Sequence, residues 1–380
     1  MADSKSGAKR LYMHVGLPKS GTTFLQARMA ANRDRLLREE GILYPSPEQV
    51  SVLHAALEVR GSHGTRGFSA EKVAGSWERL TTLVRAHDGT SVVSHEHFSG
   101  ASVQQIAAAR ERLEGLEVHV VVTARDPVRQ VPAMWQESIK NGATRNFERY
   151  GRQIMADLES GEHSRGFWSA QELTEVLRRW GTLAPPERMH LVTAPQAGGD
   201  PLELWRRFAG VVGFDPEKMD AEGERANESL GMAQVGLLRD VNATLDGRIR
   251  RPAYDRVAKR LFAQRILATQ RSSPRAVLPA DLFDPLHTLA ERWVKEIEAS
   301  GIQVHGDLAD LLPRPLPEGA AHPDEVSDAE RYAAAREAIA DLLVEVERLQ
   351  RRRPPAWRRA APGSLRRVAR RLRLSLARAR

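Results

Sequence analysis

The chain contains no cysteine. Disulfide scaffolding, thiolate nucleophiles and thiolate metal sites are therefore excluded. It has no run of about 18 apolar residues, the length a membrane-spanning helix needs. The stretch Met1 to Arg10 has no apolar signal core, and a cytoplasmic location is the expectation. Residues 351–380 contain no acidic side chain but twelve arginines. Taking these from the net charge of +8 leaves −4 for residues 1–350, so the basic character belongs to the tail and the body is mildly acidic. Such a tail calls for an anionic surface as partner. The 41% of hydrophobic and 28% of charged residues are an ordinary globular mixture and exclude disorder of the whole chain. The 380 residues suffice for one large domain with appendages. The abundance of Ala, Arg and Gly suggests a GC-rich bacterial source.

Strands and helices alternate along the chain. Leu11-Tyr12-Met13-His14-Val15 reads as a short buried strand, Gly16 to Gly21 as a glycine-bounded turn, and Thr22 onward as a helix ending near Gly41. Ser91–Ser94, Val118–Thr123 and Met189–Thr193 read as further strands, the second with the β-branched run of a strand buried on both faces. Helices are expected at Val103–Leu113, at Ser169–Trp180 and from Pro201, and residues 230–300 read as mainly helical. The fold class is therefore α/β, a parallel sheet flanked by helices, with a C-terminal helical extension. Residues 1–9 read as a disordered N-terminus, 10–311 as the main domain and 312–326 as a proline-rich linker. Residues 327–353 read as an amphipathic helix and 354–380 as the arginine-rich tail. The helix opens on a capping box, Ser327 to Glu330. Tyr332, Ala335, Ile339, Leu342, Val346 and Leu349 then follow at heptad steps, a stripe that fits a homodimer seam or docking on the body.

Gly16-Leu17-Pro18-Lys19-Ser20-Gly21-Thr22-Thr23 is the most informative segment. A glycine turn between a strand and a helix exposes successive backbone N–H groups, and the helix start adds its positive dipole end, which together make an anion site. Lys19 adds a full charge, and Thr22 and Thr23 add hydroxyls. The ATPase phosphate loop requires lysine directly after its second glycine; here Thr22 stands there and the lysine comes earlier. The segment resembles instead the 5′-phosphosulfate loop of the sulfotransferases that use 3′-phosphoadenosine 5′-phosphosulfate (PAPS). Their signature is Pro-Lys-(Ser/Thr)-Gly-Thr-Thr between strand and helix, as in Pro18 to Thr23. His14 is similar to the bacterial and carbohydrate-acting branches of that family.

A second segment, Val120-Val121-Val122-Thr123-Ala124-Arg125-Asp126-Pro127-Val128-Arg129, resembles the family's 3′-phosphate motif, an apolar strand ending in Arg-(Asn/Asp)-Pro. Arg125 offers a rigid fork of donors suited to phosphate. The family's serine eight residues after the arginine is Ala133 here, so that contact is missing or is replaced by Arg129, Gln136 or another group. Gly21 and Arg125 lie 104 residues apart, in the family's order. Arg225-Ala226-Asn227-Glu228-Ser229 is a weaker echo, with Arg225 a candidate for the 3′-phosphate and a capped helix start the plain alternative. The resemblance covers roughly residues 9–300.

The resemblance implies sulfuryl transfer from PAPS, without a metal, to a hydroxyl, or less readily an amine, of a carbohydrate, glycolipid or small metabolite. Lys19 would stabilise the leaving phosphate oxygen. A general base is expected after the Ser91–Ser94 strand, on the rim where ligands of parallel sheets bind. Glu96 is the first candidate and His97 the second, with His95 beside them. Trp135-Gln136-Glu137 and Lys140 could face the acceptor, although Trp135 also reads as core; the loop Gly61–Phe68 reads as a passive connection or as a loop that gates or reads the acceptor. The alternatives are a phosphate-loop kinase or NTPase and a non-catalytic nucleotide-binding protein of the same fold. In the tail, Leu365, Val368, Leu372 and Leu376 share one helical face among arginines. That pattern fits an anionic membrane surface, a solvated tail, or non-specific binding of nucleic acid; no specific nucleic-acid partner is expected. A peripheral place on the inner membrane surface follows from the first of these.

Overall fold

The computed structural model describes residues 9–220, 229–271 and 273–351. The expected disordered N-terminus (apart from Lys9), Arg225 and the arginine-rich tail therefore lie outside the described residues. Six strands form one all-parallel sheet: β1 (Arg10–His14), β2 (Ile42–Leu43), β3 (Thr90–Ser94), β4 (Glu117–Ala124), β5 (Met189–Thr193) and β6 (Gln303–His305), in the order β2-β3-β1-β4-β5-β6. The four strands expected from the sequence are present to within about a residue at each end. β2 and β6 are additions, two and three residues long, too short to carry a period.

Side chains alternate between the two faces of the sheet. Leu11, Met13, Val93, Val120, Val122 and Leu191 enter one core. Against it pack α3 (Val52–Val59), α4 (Ser76–Ala86), α5 (Val103–Arg110), α6 (Pro127–Lys140), α7 (Phe147–Glu159), α8 (Trp168–Gln171), α9 (Leu173–Trp180), α11 (Met232–Leu245) and α12 (Phe283–Ser300). Tyr12, Val92, Val121 and Val192 enter a smaller core on the opposite face, under α1 (Thr22–Ala31), α2 (Arg33–Glu40) and α10 (Glu203–Val212).

Two helices expected as continuous are broken. Asn32 separates α1 from α2, its side chain and backbone N–H both donating to Arg28 O at the end of α1. Glu172 separates α8 from α9. Its fully buried carboxylate caps the start of α9 through Glu175 N (2.7 Å) and accepts from Arg292 and from Trp293 Nε1 (2.8 Å).

The segment 312–326 carries no helix or strand, but it is fastened rather than loose. Asp324 accepts from the backbone N–H groups of Phe147 and Glu148, 2.9 Å each, and pairs with Arg239. Beyond it the capping box at Ser327 and Glu330 is formed, and α13 runs over Asp328–Arg351. Ala334 and Ala338 dock α13 on α11 and on the helix Asp255–Ile266. Most of the heptad stripe faces outward instead, with Tyr332 69% and Ile339 58% exposed. No helix among the described residues is long and apolar enough to cross a membrane.

Candidate active site

Because β1 lies between β3 and β4, the three segments singled out by sequence leave the sheet side by side. The connection after β1 turns to one side of the sheet and that after β4 to the other, which is where a parallel sheet opens a ligand crevice. A cavity of about 790 Å³ sits there, within the range of nucleotide-sized sites. Its lining includes Pro18, Lys19, Gly21, Thr22 and Thr23 from the loop, Glu96 and His97 from the end of β3, and Arg125 from the end of β4.

The loop is held by close approach. A methyl on Gly16 would fall 2.0 Å from Thr123 Oγ1 and 2.7 Å from His14 Nε2, so only glycine fits. His14 bridges the three central strands through Ser94 Oγ (2.7 Å) and Thr123 Oγ1 (3.1 Å). Burial lowers its pKa to about 4, so it is a neutral brace and not a charge on the site. Pro18 O accepts from two amides, Gln130 Nε2 (2.8 Å) and Gln171 Nε2 (2.9 Å). Carbonyl and N–H of a trans peptide point in opposite directions, so this clamp turns the Lys19 N–H away from α6 and α8. Lys19 itself has φ +70°, a left-handed backbone unusual for a side-chain-bearing residue. Ser20 turns inward, its hydroxyl shared between Leu17 O and Thr123 Oγ1, so its side chain serves the loop and not a ligand. The first bond within α1 runs from Leu25 N to Gly21 O (3.1 Å). The N–H groups ahead of it have no helical partner, and Gly21 supplies no side-chain cap. That leaves the helix start open to an anion.

The Lys19 ammonium meets Glu137 Oε2 at 2.5 Å. Lys259, on the π-helix Asp255–Ile266, reaches Glu137 Oε1 at 2.7 Å, and Lys140 lies 3.2 Å from Oε2. Three ammonium groups thus share one carboxylate. Burial raises the pKa of Glu137, but Lys19, Lys140 and Lys259 together outweigh burial and hold it well below the carboxylate range.

Arg125 donates through Nη2 to Arg129 O (2.5 Å), while its Nε is buried with no partner. Burial and the neighbouring Arg129 lower its pKa to about 10, which still leaves it charged near neutrality. Arg129 pairs with Asp126 and reaches Pro195 O, and it is not part of the cavity lining; its Nη2 is also without a partner. The position of the missing serine, Ala133, lines the cavity, as does Gln136, whose Nε2 is held by Leu230 O (3.0 Å). Ser229 lines it too, at the border of the stretch that contains Arg225. Trp135 is buried core.

Glu96 Oε2 accepts from Gln26 Nε2 (3.2 Å). Burial raises its pKa, but His95, His97, its own backbone N–H and Gln26 bring it below the usual range, so it is ionised. His97 is kept neutral by burial and by the charges of its neighbours, and its Nε2 faces Arg66 Nη2 at 2.7 Å. An arginine can only donate, so that ring nitrogen's lone pair is engaged. His95 Nδ1 accepts from His97 N (3.1 Å). Of the three candidate bases, Glu96 alone presents an ionised group to the cavity. Among the described residues no group of three or more His, Cys, Asp or Glu is placed to hold a metal ion.

Sequence reasoning missed Gln130, Gln171, Lys259 and Arg60. Arg66 lies within the Gly61–Phe68 loop singled out as able to read an acceptor.

No family model and no curated protein matches the chain. Among solved structures, a sulfotransferase from Alicyclobacillus acidocaldarius is similar at 14% identity, over 66% of this chain and 96% of that one, with a TM-score of 0.38. An overlap that loose decides nothing about chemistry, which has to be argued from the site.

Proposed function

We propose that the chain is a sulfotransferase that takes its sulfuryl group from PAPS and passes it to a hydroxyl. The observation that carries this reading is Arg125, which lines the same cavity as the lysine-bearing glycine loop and whose buried Nε has no partner. A buried guanidinium nitrogen without a partner costs free energy that an oxyanion would offset. Two separated anion sites, a loop and an arginine, suit a nucleotide with phosphate groups at both its 3′ and 5′ ends. A plain nucleoside triphosphate would use the loop alone.

The donor supplies an activated sulfuryl group on a phosphate leaving group. The N–H groups at the start of α1, with Thr22 and Thr23, would hold its 5′ end, and Arg125 its 3′-phosphate. Lys19, once released from Glu137, puts its ammonium where negative charge builds as the bond to the leaving oxygen weakens. Glu96 orients the acceptor hydroxyl by accepting its hydrogen bond. Its low pKa makes it a weak base, which takes the proton late, once the oxygen has begun to bond.

Binding of adenosine 3′,5′-bisphosphate and of ATP, compared by calorimetry for the wild type and Arg125→Lys, tests the reading. The wild type should prefer the bisphosphate. The lysine variant should lose about 10- to 100-fold of that affinity, the worth of a charged hydrogen bond or two, with ATP binding nearly unchanged. Preference for ATP in the wild type would favour the NTPase reading.

A further inference from the structure

Two guanidiniums on the cavity wall remain without a role. Arg60 follows the last residue of α3, and Arg66 closes the short 3-10 turn His63–Arg66. Both line the cavity on the side of Glu96 and His97, at the end of β3. Arg66 is bonded to His97, and Arg60 lies against Gly100, where a methyl would fall 2.5 Å from its Nη2. Among the described residues neither meets a carboxylate: the acidic group beside them, Glu96, is bonded to Gln26 instead. The contrast with the other cations of the cavity is direct, since the three lysines share Glu137.

The two arginines also act on each other. Burial and the charge of Arg66 both lower the pKa of Arg60. Two like charges kept near one another and away from bulk water cost free energy until an anion joins them. A guanidinium pair offers forked donors matched to carboxylate, sulfate or phosphate oxygens. The donor's own anchors lie elsewhere, in the loop after β1 and at Arg125 after β4, on the other side of β1 from β3.

We infer that Arg60 and Arg66 form an oxyanion subsite for the acceptor, so that the substrate whose hydroxyl meets Glu96 also carries a carboxylate, sulfate or phosphate group. This rests on the sulfuryl-transfer reading for the word acceptor; the subsite itself does not.

The test is a titration of the full chain, saturated with adenosine 3′,5′-bisphosphate at fixed ionic strength, with glucuronate, glucose and inorganic phosphate. Glucuronate should bind at least about tenfold more tightly than glucose, the value of one charged hydrogen bond. Arg60→Gln/Arg66→Gln should abolish that preference while leaving bisphosphate affinity within about twofold, which certifies that the variant is folded. Arg66→Lys, which keeps the charge but not the fork, should fall between. Equal binding of the two sugars by the wild type overturns the inference, as does a preference that survives in the double variant. Phosphate binding through the arginines without a glucuronate preference would mean a free anion and would also overturn it. If the bisphosphate itself does not bind, the function proposed above fails; the same titration without nucleotide then still decides the subsite, by whether the double variant loses anion binding.

Discussion

Replacing Glu137 by glutamine removes the carboxylate that, among the described residues, three ammonium groups share, while keeping the shape of the side chain. Lys140 is 5% exposed, Lys259 16%, Glu137 23% and Lys19 27%, so the cluster is shielded from bulk water. Breaking such a pair by removing one partner costs about 3–5 kcal/mol, because the remaining charges are left uncompensated. The penalty has a ceiling. Burial and Lys19 already lower the pKa of Lys140, and without Glu137 it can shed its proton. With unfolding entropies near 2.1 cal/mol/K per residue, a domain of about 300 residues loses roughly 5–8 °C of Tm for that cost. The second consequence has the opposite sign. In the wild type a nucleotide must draw Lys19 off Glu137; in Glu137→Gln that charged bond, worth about 1.5–3 kcal/mol, no longer has to be broken. Adenosine 3′,5′-bisphosphate should therefore bind about 10- to 100-fold more tightly to the variant and raise its Tm by more than it raises that of the wild type. Differential scanning fluorimetry with and without the nucleotide reads both effects. A variant as stable as the wild type, or one with a smaller nucleotide-induced shift, would refute the claim that one carboxylate balances the cluster.

Glu96→Gln keeps the hydrogen bond to Gln26 available but cannot take a proton. Release of adenosine 3′,5′-bisphosphate from PAPS should fall about 10²- to 10⁴-fold, the usual contribution of a general base, with nucleotide affinity unchanged; full turnover would remove Glu96 from the mechanism. The lowered pKa of Glu96 also means that its protonation should not limit the wild-type rate until the pH falls below the ordinary carboxylate range. For His14 the linkage concerns stability. Its pKa is about 6.5 unfolded and about 4 folded, so between those values the unfolded chain binds more protons and stability is lost as the pH falls. The loss from this group reaches about 3 kcal/mol by pH 4. Urea unfolding at pH 7 and pH 4.5 should show a shallower decline in His14→Asn, and equal declines would refute the assignment.

What the sequence made legible was what depends on residue types at fixed local spacing. Gly16 to Thr23 is one continuous stretch, a turn running into the first residues of α1, so its glycines, lysine and threonines announce it. β1, β3, β4 and β5 are buried on both faces, so their apolar runs stand out. Lys259 gives no such signal. It lies 122 residues from Glu137 on a helix rich in basic residues, and only the fold brings the two together. Gln130 and Gln171 are ordinary amides until both converge on Pro18 O. The heptad stripe is a strong local pattern that the described contacts use only in part: Leu342 packs against the core, while Tyr332, Ile339, Val346 and Leu349 stay exposed. Helices approach closely where side chains are small, and Ala334 and Ala338 allow α13 to lie against the body where the larger apolar residues would hold it off.

The ranking of the candidate bases turned on contacts no spacing could reveal. His95, Glu96 and His97 are consecutive, so the sequence can rank Glu96 first and His97 second but cannot show what any of them touches. The structure separates them by what each nitrogen or oxygen already holds. His97 Nε2 faces an arginine and His95 Nδ1 accepts a backbone N–H, whereas Glu96 keeps an ionised carboxylate that accepts from Gln26, with the His95 ring 3.6 Å away. The same arginine that removes His97 from the list of bases is one of the two cations on the acceptor wall. If Arg66 turns from His97 to an incoming oxyanion, the imidazole regains its lone pair at the moment the acceptor arrives. The test of the oxyanion subsite therefore bears on the choice of base as well: in Arg66→Gln, any activity that survives Glu96→Gln should gain a dependence on the ionisation of His97.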